Sequence, residues 1–348
     1  MKIAYLLTSL ANAGPINVAL DLVKVMMAHG HSCKVFYFKE IYGNDFPCET
    51  ERIHVWSNIR LSDYDVIHSH GLLPDLFMAL RRDIGLRCNQ RYFTTIHSFI
   101  FDDHRYKYGP LKSFFTSRLT LAATSRANKV IVLGKEAIRH FEGHIKSTRM
   151  TYAYNTRVVD INESIDSDDV NAISDFAKGR PIIGTVCSIN IRKGLEQFVK
   201  AMTQVNEAVG VIVGDGAIKP QLELLSQTLG VDDRIMFIGS RKAGYRYLSL
   251  FDLFVIPSRS EGFPLALLEA ACMKKACVSS DIPVFKEVFT DEELVKFRLD
   301  DISDFADKLR YALEEKERLA SAIYARYKQD YSPDAFYNRH LAIYTGRD

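Results

Sequence analysis

Two glutamates eight positions apart, Glu261 and Glu269, lie in the stretch from Pro257 to Pro283, with a Gly-Phe-Pro-Leu turn directly after the first. The apolar run FDLFVIP before Glu261 has the length and composition of a fully buried strand. The run PLALLEAACMKK after it predicts a helix opening near Pro264, where a missing N–H costs nothing. Glu261 then sits on a strand-to-helix loop and Glu269 in the first two helical turns. Both can face a crevice at the carboxyl edge of a parallel sheet, the edge where such sheets take ligands. The N–H groups of Phe263, Leu265 and Ala266 are expected to point there unpaired. Carboxylates accept from hydroxyls and amides donate to oxygens, so the combination suits a sugar nucleotide. Spacing alone leaves a plainer alternative standing, a surface loop residue and a solvated helix position.

Cations and glycines recur at other strand ends. Arg192 and Lys193 precede Gly194 in VCSINIRKGLEQFV, at the mouth of another strand-helix loop. Cations near a helix N-terminus oppose its dipole unless an anion is bound, which argues against an ordinary helix start. Gly14 with Pro15 joins the first strand to the first helix, and VIVGDG carries Gly214 and Gly216. Neither is the Gly-x-Gly-x-x-Gly of a nicotinamide site. His97 ends the strand-like TTIHSFI, and His68 and His70 form an HSH triplet without a third ligand at metal spacing. His70 is expected to line a cleft.

The elements that must hold these residues alternate. KIAYLLTSL, SCKVFYF, YDVIHSHG, RYFTTIHS and KVIVLG predict strands, with INVALDLVKVMMAHG and LLPDLFMALRRDIG as helices between them. The acidic ESIDSDDVNAISD shows no core pattern and predicts a domain junction. The alternation restarts at RPIIGTVCSIN and runs through AVGVIVGDG, DRIMFIG, FDLFVIP and KACVSS. The expected class is α/β, two doubly wound parallel sheets with helices on both faces. At 348 residues the chain fits two domains, residues 1–160 and 161–330, followed by a broken helical tail at 331–348.

The string SEGFPLALLEA resembles the E-x7-E signature of retaining glycosyltransferases of family 4, which have the GT-B fold. The segment around Lys193 resembles that family's Gly-Arg-Leu-x-x-x-Lys-Gly, although Ser188 stands where the family often has arginine. The resemblance implies that Lys193 binds phosphate and that Arg192 supplies the missing charge. It implies Glu269 on the ribose hydroxyls and Glu261 towards the transferred sugar, with Gly262, Phe263, Pro264 and Leu265 near sugar and distal phosphate. Gly214, Gly216, Ile238 and Ser240 correspond to positions near the nucleotide, and His97 to a histidine beside the sugar. Gly14 stands where many members carry two adjacent glycines. The last helix, SPDAFYNRHLAIY, resembles the one that crosses back onto the first domain. Implied with these are a nucleoside-diphosphate sugar donor, foremost a UDP-sugar, a glycan or polyprenyl-diphosphate-linked acceptor, retention at the anomeric carbon, and no metal or other cofactor. An acceptor-binding first domain and a donor-binding second domain follow, in bacterial surface polysaccharide assembly. An epimerase or phosphorylase of the same fold and a non-catalytic nucleotide-sugar binder are the alternatives.

Net charge of +2 hides an asymmetry: 20 Lys+Arg against 13 Asp+Glu up to Thr156, then 25 against 30. The stretch from His104 to Lys129 interleaves Arg105, Lys107, Lys112, Arg118 and Arg126 with Tyr106, Tyr108, Phe114 and Phe115. Such a surface suits anionic lipid headgroups, an ordinary helix with its aromatics in the core being the plainer alternative, and no nucleic-acid fold accompanies it. No apolar run reaches the roughly 18 residues of a spanning helix. Scattered cysteines argue against disulfides and structural zinc, and a cytoplasmic protein at the inner membrane face is expected.

Overall fold

β1 (Lys2–Leu10) buries Ile3 to Leu7 completely, as a strand covered by helices on both faces must. The computed structural model describes residues 1–81, 91–97, 110–159 and 164–348, with the backbone alone for 110–114. The chain divides into two units, Met1–Thr156 with Tyr331–Asp348, and Arg157–Asp330.

The first unit is a seven-stranded parallel sheet. Its strands are β1, β2 (Ser32–Tyr42), β3 (Glu49–Arg52), β4 (Val66–His70), β5 (Arg91–Thr95), β6 (Lys129–Val132) and β7 (Met150–Tyr152), in the order β3-β2-β1-β4-β5-β6-β7. Helices α1 (Gly14–Ala28), α2 (Leu72–Leu80), α3 (Pro110–Ala123) and α4 (Lys135–Phe141) lie between them. Leu6, Phe36, Ile67, Phe77, Val130 and Phe141 form its core. Strand order reverses between β1 and β4, so the loops leaving them part and open a crevice.

The second unit carries α5 (Ser167–Ala177), β8 (Ile182–Val186), α6 (Leu195–Ala201), β9 (Val209–Val213), α7 (Lys219–Thr228) and β10 (Ile235–Gly239). It continues with β11 (Leu253–Ile256), α8 (Leu265–Cys272), β12 (Ala276–Ser280), α9 (Pro283–Val288), β13 (Val295–Phe297), α10 (Ile302–Glu314) and α11 (Lys316–Arg326). All six strands are parallel, in the order β10-β9-β8-β11-β12-β13. Phe198, Val199, Ile212, Val255, Val278 and Phe305 are among its fully buried residues. Here the switch point lies between β8 and β11.

Beyond a π-helical turn at Tyr327–Tyr331, α12 (Pro333–Thr345) starts afresh, because Pro333 cannot continue a preceding helix. Ser332 caps it by accepting from the Ala335 N–H at 3.3 Å. It packs on the first unit, as the resemblance implies: His31 bonds Tyr337 Oη at 3.1 Å and Arg91 donates to the Tyr344 carbonyl at 3.0 Å.

Among the elements that depart from the sequence reading are α5, β3 and β13. The acidic segment expected as a domain junction without a core pattern contains α5, where Asp166 accepts from the Asp168 N–H at 2.9 Å as N-cap and Ile173 and Ala177 are buried. Two core residues on one face are too few to show a period. β3 and β13 are short edge strands, and the polar ETER of β3 lacks the apolar run that marks a buried strand.

Candidate functional site

Chain geometry at the second switch point is set by backbone contacts among three loops. The Gly214 N–H donates to the Gly239 carbonyl at 2.9 Å, Ile189 to Asp215 at 2.8 Å and Cys187 to Val213 at 3.1 Å. A Cβ on Gly214 would overlap the Cys187 carbonyl oxygen, and one on Gly216 the Ile189 carbonyl oxygen. Both glycines therefore allow the loops after β8 and β9 to touch. Gly194, at φ +61°, lets the β8 loop meet the carbonyl of Pro257 at the end of β11. Arg259 N–H to Arg192 carbonyl, 2.8 Å, ties the same two loops.

The candidate charged residues converge between those loops. Lys193 Nζ donates to Glu261 Oε1 at 2.6 Å, and Arg192 stands 4.0 Å from Oε2. Ser258 Oγ also donates to Oε1, at 2.6 Å. Glu261 is 6% exposed. Burial pushes its carboxyl up, but Lys193 and Arg192, with the hydrogen bonds from Lys193 and Ser258, outweigh that and hold it below the ordinary glutamate range. The group is thus an ionised carboxylate, with cations on both oxygens. Ser258 is a partner that the motif reading passes over, although a hydroxyl three residues before the carboxylate is a local signal.

Glu269 sits in the second turn of α8, and Arg157 Nε donates to its Oε1 at 2.8 Å. The two side chains are 13% and 11% exposed. Burial outweighs Arg157 here, so the Glu269 carboxyl is raised. Arg157 is further anchored through its carbonyl, which accepts from Tyr327 Oη at 2.9 Å. No sequence signal links positions 157 and 269.

In the turn between the glutamates the Leu265 amide differs from expectation. The Leu265 N–H, expected unpaired, donates to the Phe263 carbonyl at 3.0 Å, because Pro264 closes a tight turn there. Phe263 and Pro264 are buried, and Gly262 and Leu265 half-buried. Ile238 is half-buried at the end of β10, and Ser240 is exposed just beyond it.

The first unit holds the remaining candidates. Gly14 is the exposed first residue of α1. The loop before it is tied by Asn44 Nδ2 to the Ala11 carbonyl at 2.8 Å and by Asn17 Nδ2 to Asn12 Oδ1 at 3.0 Å. His97 is half-buried after β5, and its Nε2 lies 2.8 Å from His70 Nδ1. Burial, followed by the neighbouring His340, lowers His97 to about 3, so its ring is neutral. His70, expected to line a cleft, is instead 1% exposed. His68 bonds Tyr344 Oη at 2.6 Å and Thr95 Oγ1 at 2.7 Å, which occupies both ring nitrogens. Among the described residues no cluster of three or more His, Cys, Asp or Glu could hold a metal ion. Of the basic-aromatic stretch, Arg105, Tyr106, Lys107 and Tyr108 lie outside the described residues, as do the side chains of Lys112 and Phe114. On the described part of α3, Phe115 and Leu119 are exposed while Ser117 and Thr120 are buried.

The sequence profile of "Glycosyl transferases group 1" matches residues 166–329, and that of "Glycosyltransferase Family 4" matches residues 50–156. The chain belongs to glycosyltransferase family 4 and has the GT-B fold. It is 27% identical over 351 residues to the O-antigen biosynthesis glycosyltransferase WclY of Escherichia coli, spanning 99% of this chain and 98% of that one. It is 29% identical over 155 residues to the lipopolysaccharide core biosynthesis mannosyltransferase LpsB of Rhizobium meliloti, covering 41% of this chain and 44% of that one. The crystal structure of Anabaena HepE in complex with UDP matches at a TM-score of 0.79 and 16% identity, covering 99% of this chain and 100% of that one. The protein is a glycosyltransferase related to those of O-antigen and lipopolysaccharide biosynthesis. No helix among the described residues is long and apolar enough to cross a membrane.

Proposed function

We propose that the protein transfers a hexose or N-acetylhexosamine from a nucleoside-diphosphate sugar, foremost a UDP-sugar, to a glycan or lipid-linked glycan acceptor, with retention at the anomeric carbon. The observation that carries this reading is the buried carboxylate of Glu261 with Lys193 and Arg192 beside it, at the switch point of the second sheet. The diphosphate leaves with growing negative charge, and preset cations stabilise that charge without reorganising. Lys193 and Arg192 bind the two phosphates without a metal ion, Arg192 through its planar fork. Glu261 accepts from hydroxyls of the transferred sugar, and Glu269 from the ribose. Gly214, Gly216, Ile238 and Ser240 border the nucleotide, and Gly262, Phe263, Pro264 and Leu265 the sugar and distal phosphate. His97 and the Gly14 loop serve the reaction from the first domain, residues 1–160, which binds the acceptor. Residues 161–330 bind the donor, and 331–348 form the crossover helix.

In the transfer, the bond from the anomeric carbon to the phosphate oxygen breaks and a bond to the acceptor oxygen forms on the same face. The acceptor proton leaves with a diphosphate oxygen. Likeness to WclY along nearly the whole chain supports surface polysaccharide as the context, and HepE, solved with UDP, supports the choice of base. The site then works at the cytoplasmic face of the membrane, with residues 104–129 against anionic lipid. The test is a panel of nucleotide sugars with and without lipid-linked glycan, followed by nucleotide release and by the anomeric configuration of the product. Release that needs acceptor and gives the donor's own configuration supports the reading. An epimerised donor in the absence of acceptor, or no turnover with any pair, refutes it.

A further inference from the structure

His70 has no role in the reading above, yet it is a buried polar side chain aimed at His97. The two rings stack at 5.1 Å between centroids, and the single hydrogen bond between them joins His70 Nδ1 to His97 Nε2 at 2.8 Å. One of those nitrogens must carry the proton and the other the lone pair. The far nitrogen of His70, Nε2, decides which. It is buried and has no hydrogen-bond partner among the described residues. Were it protonated, an N–H would be stranded in the interior, and buried orphan N–H groups are rarer than unsatisfied acceptors. The Nε2 of His70 is therefore bare, and the proton sits on Nδ1. Protonating the whole pair is no alternative, because burial disfavours the charge on both rings.

We propose that His70 is a positioning residue that donates to His97 Nε2 and so fixes His97 in its Nδ1–H tautomer. His97 then presents an N–H donor at Nδ1, which has no hydrogen-bond partner among the described residues, and it has no lone pair there with which to accept a proton. This rests on the reading that His97 contacts the donor sugar, and sharpens it: His97 donates a hydrogen bond to a sugar oxygen and is not a general base. A free imidazole side chain prefers the Nε2–H form, so the opposite tautomer at His97 is a property imposed by the neighbouring ring.

The test is a long-range proton–nitrogen correlation spectrum of protein labelled with nitrogen-15 in histidine, with the His97 signals identified by their loss in His97→Gln. Wild type is expected to show His97 neutral and protonated at Nδ1. His70→Asn keeps an N–H close to the Nδ1 position and should retain that signature. His70→Phe removes the donor that selects one tautomer, so an Nε2–H signal of His97 should appear beside the Nδ1–H signal, and kcat/KM should fall about 10-fold or more, with His70→Asn restoring most of the loss. A wild-type His97 protonated at Nε2 overturns the proposal, whatever the variants do. So does an unchanged His97 spectrum in folded His70→Phe. If the tautomer is as stated but His97→Gln transfers sugar at the wild-type rate, the positioning by His70 stands and the sugar contact of His97 fails.

Discussion

Replacing Lys193 by Met should expose how the site is balanced. The ion pair is shielded, with side chains 15% and 7% exposed, so solvent screens it little. Removing one partner of a buried pair costs about 3–5 kcal/mol, because the other charge is left in the interior, whereas replacing both is often close to neutral. Lys193→Met should therefore lose about 3–5 kcal/mol at pH 7, and Lys193→Met with Glu261→Gln much less. The pH dependence gives a sign as well. In wild type the Glu261 carboxyl is depressed, so its contribution is present above the unfolded value and is lost as pH falls through the folded one. Without Lys193 burial becomes the dominant influence and raises the carboxyl. The variant's deficit should then shrink as the medium is acidified towards pH 4 and grow again towards neutrality. Activity should not follow stability: both variants lose the cation beside the leaving phosphate, and turnover should fall at least about 100-fold in each. Urea unfolding at several pH values and nucleotide release measure the two quantities. The reasoning is wrong if Lys193→Met costs under about 1 kcal/mol at pH 7, or if the double variant is no more stable than the single.

Gly214→Ala should lower Tm sharply, with a cost on the order of 3 kcal/mol, since its Cβ meets the Cys187 backbone. Gly143→Ala, at φ +79° with nothing within 4 Å, should cost only about 1 kcal/mol; equal losses would refute the steric argument. Asp75 Oδ1 accepts from Ser69, Tyr92 and Thr94, and burial raises its carboxyl to about 6. A raised carboxyl contributes stability below the unfolded value near 3.8 and loses it as pH climbs through about 6, here about 3 kcal/mol. Asp75→Asn should therefore gain most of that amount on wild type between pH 4 and pH 7 in urea unfolding, and identical slopes would count against it.

Much of the architecture was legible because parallel strands buried on both faces read as apolar runs, as in KIAYLLTSL and VGVIV. The edge strand ETER carries no such run, since its side chains are exposed. Lys193, Arg192 and Glu261 were legible as local strings beside strand ends, and the fold brings them together. Their further partners were not: Arg157 reaches Glu269 across 112 positions, and His70 reaches His97 across 27. Such pairs depend on how strands are ordered in the sheet, which local patterning does not encode. The pairing of the Leu265 amide was not legible, because the general pattern of free helix-start N–H groups does not include the tight turn that Pro264 imposes.

The central claim is that a nucleoside-diphosphate sugar is held by the cations and carboxylates of the second unit. Isothermal calorimetry with UDP-, GDP- and ADP-sugars, on wild type and Lys193→Met, tests it most directly. At least one donor should bind the wild type with measurable heat, UDP-sugars foremost, and bind the variant at least about 10-fold more weakly, the loss of one charge-assisted phosphate contact. No heat from any donor, or equal affinity in the two proteins, would contradict the account.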